Sequence, residues 1–293
     1  MTSPHRILSV IFALGLGLGA AAAGPLLRPV VVELYTSQGC SSCPPADAIL
    51  GKLADQPGVI AISLPITYWD MLGWKDTLAS DANTRRQKSY AAAMGHGGIY
   101  TPQVIVDGVA DVVGSRAAGI DMAIAQRRAQ IADALARAAE LRTVQGESLE
   151  AGGERTEIPA ALTVRSGAMG SAPAGADPLV PVAVSETPQE MHIDIAGIPA
   201  ETNATIWMFH LRSVVSVKVG AGENAGHTIT YRNVAGDVKA VGVYKGKALT
   251  LTLPRAAMAG LPHDGVAVVV QKGGYGHVIG AAYVSRPDYY AAQ

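Results

Sequence analysis

The residues of this chain with the clearest chemical potential are its two cysteines, Cys40 and Cys43, which stand three positions apart. Two cysteines are too few for a disulfide-rich scaffold or for a zinc site with four cysteine ligands. A C-x-x-C pair can exchange between dithiol and disulfide, one thiol attacking and the other resolving the mixed disulfide. It can also bind copper(I), or it can remain a passive structural disulfide in a binding protein. Because the loop between the two cysteines is so short, a purely stabilising role is a weak explanation.

The segments on either side of the pair predict a turn between a strand and a helix. Val30–Tyr35 is rich in β-branched and apolar residues, which is typical of a buried strand. Two prolines follow the second cysteine and suit the first turn of a helix, which we predict over Pro44–Ala54. This arrangement places Cys40 at the helix N-terminus, where the helix dipole and free N–H groups favour a thiolate, and Cys43 one turn further in. We therefore expect Cys40 to have the lower thiol pKa and to attack, and Cys43 to resolve.

A proline further along the chain extends the pattern. Pro102 stands directly before the predicted strand Gln103–Asp107. A C-x-x-C between a strand and a helix is typical of thioredoxin-type proteins, and the thioredoxin fold places a cis-proline opposite the cysteine pair. A cis bond before proline is rare. We predict that the Thr101–Pro102 bond is cis, that its loop lies against the cysteines and that both residues align the substrate.

Glu33 is the candidate proton acceptor. It lies in the predicted strand, seven residues before Cys40. Thioredoxin-like enzymes often bury a carboxylate beneath the cysteines, where it takes the proton of the resolving thiol. The spacing here is one residue longer than usual, which a bulge could absorb. The alternative is an exposed glutamate at a strand edge, since a buried carboxylate needs a partner or a raised pKa.

An aromatic and charged cluster follows the second predicted strand, at the strand end where sites form in α/β proteins. Its members are Tyr68, Trp69, Asp70, Trp74, Lys75 and Asp76. They could line a groove beside Cys40, or they could form a structural cap over the sheet.

The glycine-rich segment 220–228 lies between two predicted strands. It has neither the following helix nor the lysine of a phosphate loop, so nucleotide binding is discounted. One interpretation is a long hairpin turn. The other is that Glu223, Asn224 and His227 face the cysteine region and complete its groove.

Copper(I) handling is the rival chemistry for the cysteine pair. Exported copper chaperones of the thioredoxin fold use a three-residue spacer and a distant histidine, whereas the spacer here has two residues. His96 is the nearest candidate third ligand in the sequence. The four ligands of a zinc site cannot be assembled.

Four stretches of the chain resemble the DUF1223 family, a group of exported bacterial proteins of unknown function with a thioredoxin-like domain. They are Glu33–Asp47, Tyr68–Asp76, Tyr100–Gln103 and Gly222–Asn224. The resemblance covers most of the chain beyond its first residues and implies the fold and the export, but no substrate or reaction. Relatives carry a His-rich start to the second stretch, where this chain has Leu64–Thr67, so any role of that histidine is lost here.

The periodicity of the chain predicts two domains. Residues 25–142 follow the order β-α-β-α-β-β-α, which implies an α/β thioredoxin-like domain with a mixed sheet. Residues 143–187 are rich in Gly, Ala, Ser and Pro and are expected to form an irregular linker. Residues 188–286 consist of short alternating runs separated by turn residues, which predict a mostly antiparallel, sandwich-like β domain.

The first 23 residues have the pattern of a secretory signal peptide. His5 and Arg6 precede the apolar run Ile7–Gly19, and a run of alanines follows, with cleavage expected after Ala22 or Ala23. We therefore expect a periplasmic or secreted protein without stable membrane insertion once the peptide is removed. Disulfides persist in such compartments.

Composition excludes several partner classes. Hydrophobic residues make up 49% of the chain, charged residues 16%, and the net charge is −1. A sizeable core is therefore expected and nucleic-acid binding is not, because there is no excess of basic residues to pair with phosphates.

Together these observations predict an exported thioredoxin-like protein that acts as a thiol–disulfide oxidoreductase. Cys40, Cys43, Thr101, Pro102 and Glu33 are its candidate catalytic residues. No dissociable cofactor or metal is implied, and the expected partner is a protein or small-molecule thiol or disulfide. The alternatives are a non-catalytic periplasmic binding or assembly protein, and copper(I) handling through the cysteine pair.

Overall fold

A computed structural model describes residues 28–150, 178–187, 189–254 and 263–285. The predicted signal peptide lies outside the described residues. The helices are α1 (Pro44–Ala54), α2 (Asp81–Ala93) and α3 (Ala117–Glu150). The strands are β1 (Val30–Thr36), β2 (Val59–Pro65), β3 (Gln103–Val106), β4 (Ala110–Val113), β5 (Val182–Glu186), β6 (Glu190–Ile195), β7 (Ala204–Lys218), β8 (Thr228–Tyr244), β9 (Leu249–Pro254), β10 (Gly265–Lys272) and β11 (Val278–Ser285).

Sheet dominates the architecture. Eight strands form one mixed sheet in the order β11-β10-β7-β8-β2-β1-β3-β4, and three form an antiparallel sheet in the order β5-β6-β9. In the first part of the chain, β1 pairs in parallel with β2 and antiparallel with β3, which itself pairs with β4. The strand and helix order predicted for this part, including the mixed sheet, is found, as is the antiparallel pairing expected for the second.

The two predicted domains share a sheet. β8 lies beside β2 and pairs with it in parallel, with Ser63 opposite Val234. The side-chain amide of Asn233 also donates to the backbone carbonyl of Ala61 at 2.9 Å. Without β8, the backbone of β2 would be an unpaired edge, and covering such edges is a general requirement of sheets. The second part of the chain therefore continues the first sheet, whereas the sequence predicted a separate unit.

The boundaries of the segment 143–187 also differ from the prediction. Helix α3 extends to Glu150, and β5 occupies residues that the sequence placed in the linker. The short alternating runs expected in this part are not all separate strands, since residues 228–244 form the single strand β8. Asn233, a residue type that favours turns, does not end the strand. It adopts a positive φ of 48° within β8.

The two faces of β1 bury different sets of side chains, because successive residues of a strand point to opposite faces. Val30, Val32 and Leu34 pack with Leu50 of α1 and Ile120 of α3 in one apolar cluster. Val31 and Tyr35 belong to a second cluster, with Tyr90 of α2 and with Phe209 and Val269 from the second part of the chain. The cysteine turn precedes α1 and therefore belongs to the first face.

No helix in the described part of the chain is long and apolar enough to cross a membrane.

Candidate functional site

The two cysteines form a disulfide in the turn between β1 and α1. Their Cα atoms are 5.4 Å apart. Both are buried, with 1% of Cys40 and none of Cys43 exposed. The Cys40 sulfur also lies close to a neighbouring hydroxyl, with Cys40 Sγ and Ser42 Oγ 3.4 Å apart.

Helix α1 has the predicted bounds, but the two cysteines lie earlier relative to it than the sequence predicted. Cys43 is its N-cap, and Pro44 and Pro45 occupy the first two helical positions. The prolines determine this boundary, because they have no N–H and suit the helical start where N–H groups lack partners. Cys40 is thus one turn before the helix, and Cys43 is at the N-cap, not one turn inside. Free helical N–H groups are also fewer than expected, since those of Ala46 and Asp47 both donate to the Cys43 carbonyl, at 2.8 and 3.1 Å.

The Thr101–Pro102 peptide bond is cis, as the sequence predicts. Pro102 adjoins the first turn of α1: a Cβ added to Gly114 would lie 2.9 Å from the Cβ of Pro102 and 3.1 Å from that of Ala46. Glycine is required at position 114 because these side chains leave no room for another. The proline therefore lies next to the helix that follows the cysteine turn.

Trp69 connects the proline loop with the cysteine turn. Its indole N–H donates to the Thr101 hydroxyl at 2.8 Å, and a Cβ added to Gly39 would lie 3.3 Å from the Trp69 Cβ. Trp69 precedes a short 3₁₀ turn, Asp70–Leu72. Met71 and Leu72 in that turn are 82% and 51% exposed, so the turn after Trp69 presents apolar side chains to solvent.

Glu33 is buried, but on the other face of the sheet from α1. Its carboxylate accepts from Arg86 Nε at 2.6 Å and Nη2 at 2.9 Å, and from the Tyr90 hydroxyl at 2.6 Å. The Tyr35 hydroxyl also donates to it, at 3.2 Å. It is therefore neither beneath the cysteines nor exposed at a strand edge. The alternation along β1 is the reason, because Glu33 shares its face with Tyr35.

Arg86 joins this carboxylate to the second part of the chain. Its Nη2 also donates to the Gln271 side chain at 3.1 Å. Its guanidinium lies about 5 Å from the ring centres of Tyr90, Trp207 and Phe209, at 5.1, 4.9 and 5.0 Å. Such an aromatic enclosure compensates a buried cation for its lost hydration. Glu33 and Arg86 thus form a buried ion pair between α2, β1 and the C-terminal strands.

Asp47 is a buried carboxylate that the sequence reasoning missed. It lies one helical turn after Cys43, and residues four apart on a helix are neighbours on its surface. Neither oxygen of its side chain has a hydrogen-bond partner within 3.5 Å among the described residues. Burial raises the pKa of Asp47 well above its usual value; the Thr36 hydroxyl opposes this shift and the charge of Asp76 adds to it. The helical spacing in Cys-Pro-Pro-Ala-Asp was the signal that could have identified it.

Asp76 organises the start of the cysteine turn. Its carboxylate accepts from the backbone N–H groups of Gln38 at 2.8 Å, Leu78 at 2.8 Å and Ala79 at 3.1 Å. Trp74 donates its indole N–H to the Gln38 side chain at 2.8 Å. The predicted aromatic cluster therefore supports the turn before Cys40 as well as lining the surface beside it.

The glycine-rich loop between β7 and β8 reaches the cysteine turn. The Asn224 side-chain amide donates to the carbonyls of Gln38 and Cys40, both at 2.9 Å. The Glu223 carboxylate accepts from the Ser41 backbone N–H at 3.1 Å. His227 is exposed and closes the loop through backbone contacts. Two of the three residues singled out in this loop therefore contact the cysteine turn.

His96 is engaged elsewhere. Its Nδ1 lies 3.0 Å from the Asp111 carboxylate, which also accepts from the Tyr100 hydroxyl. Among the described residues, no group of three or more His, Cys, Asp or Glu side chains is arranged to hold a metal ion.

Comparison with known proteins places the chain in context. The family model described as "Protein of unknown function (DUF1223)" matches residues 31–164 and 143–271. A "Probable Thioredoxin" of Archaeoglobus fulgidus is 43% identical over 37 residues, which are 13% of this chain and 41% of that protein. The chain thus spans less than half of that relative. The crystal structure of an Agrobacterium tumefaciens protein is 29% identical, with a TM-score of 0.65 over 89% of this chain and 96% of that one.

Proposed function

The chain belongs to the DUF1223 family, and we propose that it is an exported thiol–disulfide oxidoreductase whose Cys40–Cys43 pair cycles between dithiol and disulfide. The disulfide at the end of β1, directly before α1, is the observation that carries the proposal. The short match with a probable thioredoxin supports it, as does the position of Pro102 beside the first turn of α1. Residues 25–142 then constitute a thioredoxin-like unit, and the C-terminal strands extend its sheet.

The proposed reaction needs no dissociable cofactor. The Cys40 thiolate attacks one sulfur of a substrate disulfide and releases the other as a thiolate, which takes a proton. Cys43 loses its proton, attacks Cys40 of the mixed disulfide and releases the second substrate sulfur as a thiol. Two electrons thus pass to the substrate, and the protein is left with the observed disulfide. The reverse sequence oxidises a dithiol.

Asp47 takes the part in this reaction that the sequence suggested for Glu33. The charge of Glu33 is neutralised by its ion pair with Arg86, on the face of the sheet away from α1. Asp47 lies on α1 itself, buried and one turn from Cys43. A carboxyl with a raised pKa and no fixed partner can accept the proton of the resolving thiol and return it in the reverse direction.

The proposed substrate site lies between Thr101, Pro102 and the exposed turn Asp70–Leu72. An extended polypeptide could pair with the backbone beside Pro102 and place apolar side chains against Met71 and Leu72. Protein disulfides or thiols are therefore the favoured substrates, with small-molecule thiols as the second class. Because both sulfurs are buried, the incoming sulfur must displace part of the surface beside Ser42.

A trapping experiment tests the function. The full chain carrying Cys43→Ser retains Cys40 but cannot resolve a mixed disulfide, so it should accumulate covalent complexes with partners of the exported compartment. These complexes should disappear on addition of dithiothreitol. Wild-type protein should show few, because Cys43 resolves them.

The matched control is Cys40→Ser, which leaves only Cys43 and should trap much less. If neither variant traps a partner and the wild-type protein does not exchange with any dithiol, the oxidoreductase proposal is wrong. A non-catalytic binding or assembly role would then be the better interpretation. Copper(I) handling would instead be indicated by stoichiometric copper(I) binding to the reduced wild-type protein that either cysteine variant abolishes.

A further inference from the structure

The β7–β8 loop is held against the cysteine turn by buried contacts. Asn224 is 6% exposed and bonds to two carbonyls of the turn, those of Gln38 and Cys40. Trp74 packs against the base of the loop so closely that a Cβ added to Gly220 would lie 2.8 Å from its ring. The residue before Asn224 is therefore kept at a defined place beside the disulfide.

That residue is Glu223, whose carboxylate accepts a hydrogen bond from the first backbone N–H after Cys40. The Ser41 N–H donates to Glu223 at 3.1 Å. Hydrogen bonding from the Ser41 hydroxyl, together with this N–H, holds the pKa of Glu223 below its usual value. An N–H directly after an attacking cysteine is a natural donor to a thiolate, because a thiolate is stabilised by nearby N–H groups. In this protein the Ser41 N–H already donates to Glu223, and the carboxylate adds a negative charge beside the cysteine turn.

Four other N–H groups of the turn are also engaged. Those of Gln38, Gly39, Cys40 and Cys43 donate to Asp76, to the Ser37 side chain, to the Ser37 carbonyl and to the Cys40 carbonyl. The first two positions of α1 are prolines without N–H, and the next two N–H groups bond to the Cys43 carbonyl. In the described part of the chain, no Lys, Arg or His side chain hydrogen-bonds to residues 37–43. The charged side chains that hydrogen-bond to the turn, Asp76 and Glu223, are carboxylates.

We propose that Glu223, positioned by Asn224, disfavours the Cys40 thiolate and so stabilises the disulfide, which makes the pair a reductant of disulfide substrates and not an oxidant of thiols. This inference rests on the proposed oxidoreductase function and gives it a direction. The attack still uses the thiolate, but the reduced protein lacks the stabilisation that a favoured thiolate would give it, so the disulfide is favoured relative to the dithiol.

The direction sets the place of the protein in a reaction sequence. The dithiol gives two electrons to a substrate disulfide, which becomes two thiols, and the protein becomes the Cys40–Cys43 disulfide. To act again, the protein needs two electrons and two protons from a dithiol reductant on the same side of the membrane, which is itself oxidised to a disulfide. Such a reductant must act upstream of this protein.

The dithiol–disulfide equilibrium tests the inference without any knowledge of the partner. The full chain is equilibrated with defined ratios of reduced and oxidised glutathione or dithiothreitol, quenched with acid, alkylated and analysed by mass spectrometry. Wild-type protein should stay disulfide-bonded in mostly reduced glutathione and become reduced in dithiothreitol. Glu223→Gln should raise the equilibrium constant for reduction about 2- to 10-fold at low salt, as expected for one unit charge near the surface.

Two further measurements separate charge from structure. The effect of Glu223→Gln should shrink at 1 M salt, where the Debye length is about 3 Å. The pH dependence of Cys40 alkylation in the reduced protein should move to lower pH in the same variant. Glu201→Gln, an exposed glutamate in the loop before β7, is the matched control and should change neither.

The outcomes of this experiment are distinct. If Glu223→Gln leaves the equilibrium unchanged or favours the disulfide, or if glutathione readily reduces the wild-type pair, the inference is overturned while the oxidoreductase function stands. If dithiothreitol cannot reduce the pair at all, the proposed function fails together with the inference. A salt-sensitive shift towards the dithiol in Glu223→Gln alone supports the inference.

Discussion

Asp47 and Cys43 are linked along α1: the Asp47 N–H donates to the Cys43 carbonyl at 3.1 Å, and the Asp47 carboxyl is buried without a hydrogen-bond partner within 3.5 Å among the described residues. The fold would therefore be more stable if position 47 carried no ionisable group. Since burying an unpaired carboxylate is unfavourable, this position is a candidate functional site.

Asp47→Asn should slow thiol–disulfide exchange while stabilising the fold. Exchange near neutral pH should fall about 100-fold, the lower end of the range for loss of a general acid–base group. Burial raises the pKa of Asp47, so its stabilising contribution is present in acid and is lost as the pH rises through the folded-state value. Urea unfolding of the oxidised protein should show a variant more stable by over about 1 kcal/mol at alkaline pH and equally stable at pH 3. A variant with unchanged exchange would contradict the role of Asp47.

The buried ion pair of Glu33 and Arg86 should be essential for stability. Arg86→Met leaves the Glu33 carboxylate buried without its cation, and breaking such a pair costs about 3–5 kcal/mol. Urea unfolding should record this loss, whereas Arg85→Met, an exposed neighbour on α2, should change stability by less than about 0.5 kcal/mol. The double variant Glu33→Gln, Arg86→Met should recover part of the loss. If the single variant is as stable as wild type, the ion pair does not stabilise the fold.

Asn224→Ala should loosen the contact between the β7–β8 loop and the cysteine turn. It leaves the carbonyls of Gln38 and Cys40 without their shared donor, at a cost of about 1–3 kcal/mol. We expect the disulfide to be reduced faster by dithiothreitol, because the turn is less constrained. Stopped-flow tryptophan fluorescence follows this rate, with Asn203→Ala as the exposed control. Equal reduction rates in wild type and Asn224→Ala would show that the loop does not restrain the turn.

His210 should make the protein less stable in mild acid. Burial, assisted by the charges of His263 and Lys239 and opposed by Asp237, lowers the pKa of His210 to about 4. Above pH 6.5 the residue is neutral in both states and contributes no penalty. As the pH falls from about 6.5 to 4, the unfolded chain binds the proton more readily and stability should fall by about 1–2 kcal/mol. Urea unfolding across this range should show a flatter profile for His210→Gln, while the exposed control His227→Gln should keep the wild-type slope.

The cysteine turn could be predicted because its signals are local. A β-branched run, a C-x-x-C and two prolines are adjacent in the chain, and they lead to β1 and to a helix over Pro44–Ala54. Even here one detail was wrong: a helix that begins at Pro44 leaves Cys40 one turn before its N-terminus, so Cys40 has fewer free N–H neighbours than expected. The signal for that detail was present, since two consecutive residues without N–H cannot donate to a thiolate.

The role assigned to Glu33 failed for a different reason. Its distance from Cys40 along the chain was plausible, but the face of the strand on which it lies decides its neighbours. Only the packing of α1 and α2 on opposite faces of β1 shows that Arg86, not the cysteine pair, is its partner.

The sequence by itself determined the disulfide turn, the cis-proline, the order of elements around them and the β-rich character of the remainder. Tertiary structure decided that β8 joins β2 in one sheet and that Asn224 reaches Cys40 across 184 residues. It also decided that Glu223 meets the Ser41 N–H. The physical reason is that turns and periodicity depend on neighbouring residues, whose preferences are readable in the chain. Contacts between distant segments depend on which faces and edges remain to be covered once those local elements have formed.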